Sequence, residues 1–458
     1  MFEKSIDNIE LKITTLMQKT KIPGLSLAIL KDNKIIYSRG FGNRDIANNL
    51  PVTPDTLFGI GSCTKVFTCI AIMQLADQGK LSIEDPVSKY LPFKLGINDK
   101  PIRIHHLMSH SSGIPNLGTA TVLISRHGPV EETWIPFASK NDFYIFLNGA
   151  KNEIADEPGK RYFYFNSGFT LLGEIIEKVS GLRYEEYVKE FILNPLEMKR
   201  STFLKEVFNK DNDKMTAYIV EKDMPVVKNH PFDQFIYAAG GLLSSVNEMT
   251  NFLKMVLNKG KFKDKQIVKT ESLEKMFSIQ IETPVNFLGK SGYGFGLAIS
   301  EDFLGYKLIS HGGSTGMSSA QFSFIPELNM GFVTEANVGN GMGILIGQTL
   351  LCILMDKNPE EEIPFYQIQS KMEQLTGEYV SYRELTKIKV FTDNGILVAE
   401  SEFREIKTRY VLIPEDPKIT DYKFYIYNVG NKLSVYFELK ENGKIDLFLE
   451  RNCFHKVK

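Results

Sequence analysis

A chain of 458 residues, 43% apolar and 24% charged, is too long for one ordinary core, so two or three globular domains are expected. A formal net charge of −1 and the lack of a long basic run exclude a field that would draw nucleic acid or anionic lipid. Cys63, Cys69, Cys352 and Cys453 show no Cys-x-x-Cys or metal-ligand spacing, so neither a disulfide framework nor a metal site is expected. The first residues lack the charged-then-apolar pattern of an export signal. No stretch is apolar over the roughly 18 residues of a membrane span. A cytoplasmic protein without a membrane partner is the resulting expectation.

Ile6, Ile9, Ile13, Leu16 and Met17 recur at helical spacing, so residues 5–20 read as an amphipathic helix ended by Pro23-Gly24. The runs Leu25–Leu30 and Ile35–Tyr37, split by Lys31-Asp32-Asn33, read as a β-hairpin. A buried helix is expected from Ser62 to Gly79. A short helix is expected within Ile102–Pro115, before a Gly/Pro turn. Residues 116–157 show no clear period apart from a helical stretch Asp142–Leu147 and read as a long connection bordering a cleft. Helices follow at Leu171–Val179, Tyr184–Ile192 and residues 246–258. Strands are expected at 293–299, 321–325 and 330–336, and a last helix at Gly343–Met355. A sheet built from both ends of this region, with helices inserted between, satisfies that order.

The composition changes at Asp356–Pro364, where prolines and three glutamates mark a linker, assigned to 356–370. Beyond it the period becomes two: Leu433, Val435, Phe437 and Leu439 alternate with polar residues. Asn394-Gly395, Gly430-Asn431 and Asn442-Gly443 read as hairpin turns. Residues 371–458 are thus expected to form a small antiparallel β domain, its apolar stripe filling a core rather than lining a ligand pocket.

Ser62-Cys63-Thr64-Lys65 carries the chemistry. On a helix, residues i and i+3 share a face. A helix N-terminus adds free N–H groups and positive potential at the serine. A serine hydroxyl needs a nearby base to act as a nucleophile, and a desolvated lysine can serve. Spacing alone does not decide: Ser272-Leu273-Glu274-Lys275 repeats it in a charged context and reads as surface. Two further motifs distinguish the first. Tyr164-Phe165-Asn166 lies in a loop before a helix. His311-Gly312-Gly313 follows the apolar run Tyr306–Ile309, and two glycines at a strand let a substrate lie close.

These three motifs in this order resemble the serine β-lactamase / penicillin-binding protein superfamily, in its class C-like branch of S12 peptidases and esterases. Ile104–Pro115, Asn194–Met198 and Ala239–Ser245 are similar to flanking stretches of the same family. The resemblance covers about residues 8–355. More weakly, the tail resembles the lipocalin-like domain of some members, archaeal self-compartmentalising serine peptidases among them. It implies an α/β fold: an antiparallel sheet flanked by helices plus a mainly helical region over 1–355, then a small all-β lipocalin-like barrel over 371–458.

The resemblance also implies residue roles. Ser62 is the acylated nucleophile, Lys65 accepts or relays its proton, and Tyr164 shares the base work and protonates the leaving group. Asn166, His311 and Gly313 face substrate, and the backbone N–H groups of Ser62 and Ser314 form the oxyanion hole. No cofactor and no metal are implied. Family members that bind a substrate carboxylate carry lysine where His311 stands, and histidine is mostly neutral near pH 7. His311 therefore fits peptidases, amidases or esterases of other specificity, and the resemblance of the tail implies a peptide amide as substrate, with D-residue or N-terminal preference. A carboxylesterase is the alternative, and a catalytically silent scaffold of the same fold the reading from another class. The tail is expected to support a homo-oligomer or cap the cleft.

Other clusters have plainer readings. His105, His106 and His110 read as a hydrogen-bonded turn rather than a zinc site, and Cys63 as an inert packed thiol. His127, Trp134 and Phe137 either border the cleft or belong to a surface loop.

Overall fold

Segments from both ends of the first unit meet in one nine-stranded antiparallel sheet. In the computed structural model its order runs Ile281–Glu282, Ser291–Tyr293, Ala298–Phe303, Tyr306–Ser314, Ser319–Ile325, Met330–Ala336, Gly24–Lys31, Lys34–Asp45, Leu50–Pro51. The seam between the chain's two ends pairs Leu25 with Ala336 and Lys31 with Met330. The structure describes residues 2–97, 99–125, 137–284, 289–340, 342–403 and 406–457. They divide into two units, Met1–Leu351 and Cys352–Lys458.

The central strands Ser319–Ile325 and Met330–Ala336 are buried at every residue. Layers therefore cover both faces, and these strands read as apolar runs rather than as alternation. The helix Lys65–Asp77 is apolar all round, and Val66 to Leu75 are buried without a break. It is the central helix of the core, in contact with Asn166–Ser180 on one side and the sheet region on another.

The expected helices form at Phe2–Thr20, Ile104–Met108, Asn166–Ser180, Val246–Leu257 and Gly343–Leu354. Tyr184–Val188 continues as a π-turn through Lys189–Leu193. The connection 116–157 carries helices Thr119–Ser125 and Lys140–Gly149. His127 and Trp134 lie outside the described residues. Phe137 is 4% exposed and stacks edge-on with Phe143 and Phe146, a core position rather than a surface loop.

Four expectations need correction, the last of them a turn of the second unit. Residues 293–299 are not one strand: Ser291–Tyr293 and Ala298–Phe303 are separate, joined by a turn in which the Gly294 N–H donates to the Leu297 carbonyl. Gly296, at φ +71°, brings this turn against the central helix, where a Cβ would lie 2.9 Å from Cys69 Sγ. Ser272 is not on the surface: it is 6% exposed and donates to Asp77 Oδ1 at 2.6 Å. The segment 356–370 is largely helical, as Pro359–Glu362 and Pro364–Leu375. Proline is favourable at the first turn of a helix, and the Asn358 side chain caps the first one. Ile368, Met372 and Leu375 pack into the core of the second unit.

The second unit is a closed eight-stranded barrel from Gly377–Val380 to Asn452–Lys456, shut by pairing Tyr379 with Lys456. Asn394-Gly395 is the two-residue turn expected, with both residues at positive φ. The next turn is Val429-Gly430, one residue earlier than expected, and Asn442-Gly443 sits in a longer loop. Val435 and Phe437 point into a filled core with Tyr379, Leu397, Leu447 and Phe454, and Leu433 and Leu439 pack at its margin.

Candidate active site

The Ser62 turn is a nest of close backbone approaches. Gly61–Thr64 forms a short 3-10 turn and Lys65 opens the central helix. Gly61 has φ +51°, and a Cβ there would lie 2.5 Å from the Ser314 nitrogen. A Cβ on Gly313 would fall 2.0 Å from the Ile60 carbonyl and 2.7 Å from the Ser62 nitrogen. Only glycine lets the edge of the His311-Gly312-Gly313 strand lie against this turn. The result brings the backbones of Ser62 and Ser314 together, the pair expected as oxyanion donors.

Thr64 and Thr68 fasten the segment 238–242 over the helix. Thr64 Oγ1 accepts from the Leu242 N–H, and Thr68 Oγ1 donates to the Ala238 carbonyl. That puts the Ala239 carbonyl 2.6 Å from Lys65 Nζ, a contact with no signal in the sequence beyond the small-residue run Ala238–Gly241.

Lys65 is fully buried. Its Nζ lies 3.0 Å from Ser62 Oγ, 2.8 Å from Asn166 Oδ1 and 2.6 Å from the Ala239 carbonyl. Burial pushes its amine down to about 7. A neutral amine has two N–H donors and one lone pair. The two carbonyl oxygens take the donors, which leaves the lone pair for the Ser62 hydroxyl proton.

Tyr164 completes the group. Its ring lies under Lys65, 4.9 Å from Nζ to the ring centre. Burial raises its phenol well above the ordinary value, and hydrogen bonding with Ser62 opposes that rise. Tyr164 is thus a proton donor at neutral pH. Its backbone is clamped by His110: the Phe163 N–H donates to the His110 carbonyl at 2.8 Å and the Phe165 N–H to His110 Nδ1 at 3.0 Å. His110 takes φ +57° to do so, and its ring stacks on Tyr164 at 4.1 Å. Burial, with Lys65 nearby, holds the imidazole neutral. The histidine turn therefore does more than hydrogen-bond itself; it fixes Tyr164.

His311 stands beside Tyr164, ring centres 6.5 Å apart, with both nitrogens engaged. Nδ1 donates to the Gly312 carbonyl at 2.6 Å, so Nε2 accepts from the Tyr293 hydroxyl at 2.7 Å. Burial and Lys65 push it down to about 3, so it offers no positive charge. Tyr293 had no sequence signal of its own. Cys63 is buried at the sheet, its thiol raised by desolvation and by Glu335, which fits an inert packed residue. Beside Ser62 lies a recess with Asn166, Ser314 and Thr315 at its polar side and Leu123, Ile124 and Phe235 at its apolar side. None of its described lining residues is charged.

A serine–lysine–tyrosine group with its lysine buried, between a helix-bearing region and an antiparallel sheet, defines a class of protein: the β-lactamase-fold serine hydrolases. The chain belongs to the β-lactamase family, whose model matches residues 9–343, and residues 359–455 match the Pab87 octamerisation domain. The octameric penicillin-binding protein homologue from Pyrococcus abyssi is 38% identical. It superposes with a TM-score of 0.90 over 98% of this chain and 100% of its own. A class C β-lactamase, 21% identical, shares the fold with a TM-score of 0.61 over 77% of this chain and 96% of its own. "Protein flp" of Staphylococcus aureus strain MW2 is 29% identical over 327 residues, 71% of this chain. The chain spans 61% of the length of that relative. Among the described residues, no helix is long and apolar enough to cross a membrane.

Proposed function

We propose that the protein cleaves peptide amide bonds through an acyl-enzyme on Ser62. The observation that carries this reading is the buried Lys65 amine, held to about 7 and 3.0 Å from Ser62 Oγ. Ser62 Oγ attacks the carbonyl carbon as its proton passes to Lys65. The backbone N–H groups of Ser62 and Ser314 take the charge on the oxygen. Tyr164 gives its proton to the leaving amine and regains the one that Lys65 took from Ser62. Water then clears the acyl group by the reverse proton path. With Oδ1 committed to Lys65, Asn166 offers its NH2 to a substrate carbonyl.

Neutral His311 and a recess with no charge among its described lining residues argue against a substrate held by a free carboxylate. They fit a blocked or internal acyl group, including one bearing a D-residue or lying near an N-terminus. The esterase reading is favoured by one observation, the apolar wall Leu123, Ile124 and Phe235, which suits a simple acyl or alcohol chain. Four free thiols support a reducing, cytoplasmic compartment. The octamerisation-domain match supports a homo-oligomer built by the barrel, as do Tyr382, Leu385, Ile406, Tyr427 and Val429, all exposed on it.

A fluorophosphonate probe tests the reading: it should label Ser62 in the native protein and nothing in Ser62→Ala. An unlabelled folded protein at every pH would leave only the silent scaffold. A panel of p-nitrophenyl esters, L- and D-aminoacyl anilides and nitrocefin then ranks amide, ester and lactam. Faster turnover of esters alone would favour the second reading.

A further inference from the structure

Asp446 is the one buried charged or polar residue of the barrel among those described, at 4% exposure. It does not point into the barrel. Its neighbours Ile445 and Leu447 do, together with Phe454. Asp446 faces outward, directly opposite His455 on the adjoining strand, and Cys453 lies two residues before His455 on the same face. One ligand atom from each of Asp446, Cys453 and His455 lies within 4.8 Å of the others. The strands beneath are held in register by Tyr436 stacked on Phe448, ring centres 4.6 Å apart and 8° from parallel.

A positive charge already occupies the place. The Lys440 ammonium pairs with Asp446 Oδ2, and His455 Nδ1 lies 2.8 Å from Oδ1. Lys440 is exposed, so its chain is free to swing into solvent. Glu438, cross-strand partner of Asp446, adds a further exposed carboxylate.

We propose that Asp446, Cys453 and His455 bind a borderline-soft divalent metal ion of the zinc class, which displaces Lys440 from the site. Thiolate, imidazole and carboxylate together select zinc or cobalt over calcium or magnesium, which take oxygen ligands. Binding releases one proton, from the Cys453 thiol. His455 Nδ1, whose N–H donates to Asp446 Oδ1 before the ion binds, passes that proton by way of water to Nε2 and binds the ion through the freed Nδ1 lone pair. The thiolate and the Asp446 carboxylate neutralise the two charges of the ion. Water or the Glu438 carboxylate takes the fourth position. The Cys453-x-His455 spacing means nothing on a helix or loop; strand period and register turn it into a three-point site.

The test is cobalt titration of the full-length, chelator-treated, reduced protein. One equivalent of Co2+ per chain should give a near-ultraviolet thiolate-to-cobalt charge-transfer band and visible bands of four-coordinate geometry, both erased by Zn2+. Cys453→Ser should lose the charge-transfer band. His455→Gln should weaken binding by at least the roughly 10–100-fold that loss of an outer-shell partner costs, while keeping the band at saturation. Lys440→Met, which removes the competing cation, should tighten binding several-fold, the scale of one exposed ion pair. No charge-transfer band at saturating Co2+, or one that persists in Cys453→Ser, overturns the proposal. So does identical affinity in Lys440→Met and the native protein.

Discussion

Lys65, His110, His311 and Glu335 are all buried in the first unit, within or beside the Ser62 site, whereas the barrel core is aromatic and aliphatic, with Asp446 held at its outer face. Each of the four is neutral or near its neutral point: burial lowers the amine and the imidazoles and raises the Glu335 carboxyl. Neither Glu335 oxygen has a partner among the described residues. Buried polarity of this kind costs stability and is tolerated where it prepares chemistry. The barrel carries no such cost in its interior.

The largest break in this contrast should come from Lys65→Met. It removes the proposed base, so amide or ester turnover should fall by about 10³-fold or more. The same change should raise the melting temperature. Folded Lys65 titrates at about 7 against an ordinary 10.5. Between those values the unfolded chain binds a proton that the folded chain does not. Lys65 therefore opposes folding there, and stability rises with pH across that window. Calorimetry from neutral to alkaline pH should show this slope in the native protein and lose it in Lys65→Met.

His110→Ala should lower kcat by roughly 10²-fold, the scale of a small misplacement of a reacting group, with KM little changed. His110→Asn should recover part of it, because asparagine tolerates positive φ and offers an acceptor oxygen to the Phe165 N–H. Equal losses in both variants would argue against the clamp.

In the barrel the reverse pattern is expected. Phe437→Ala removes a buried ring that contacts Tyr379 and Phe424. It should cost about 3–5 kcal/mol in denaturant unfolding of the second unit, while the rate of Ser62 labelling in the folded protein stays unchanged. The smallest effect belongs to the other Ser-x-x-Lys. Ser272→Ala loses one buried hydrogen bond to Asp77, worth about 1 kcal/mol, and should leave labelling intact.

Those two Ser-x-x-Lys stretches show what was legible in the sequence. Motif order separated Ser62 from Ser272, but nothing in residues 272–275 announced that Ser272 is buried. The sheet sewn from both chain ends and an antiparallel β domain in the tail followed from period and turn residues, while its closure into a barrel followed only from the family resemblance. The helices at Pro359–Glu362 and Pro364–Leu375 were hidden because the prolines and the glutamate run, read as linker signals, sit at first turns that favour them, proline in both helices and glutamate in the first. The His110 clamp spans 55 positions and depends on a left-handed backbone at a histidine, which no local pattern encodes. The carbonyl of Ala239, which shapes the Lys65 lone pair, has no side chain to betray it.

The pH dependence of Ser62 acylation tests the central claim most directly. The second-order rate of fluorophosphonate labelling, followed by intact mass, should rise about tenfold per pH unit in acid and level off near pH 7 as Lys65 loses its proton. A flat profile between about pH 5 and 9, or a rise only near the ordinary lysine value, would contradict Lys65 as the base that activates Ser62.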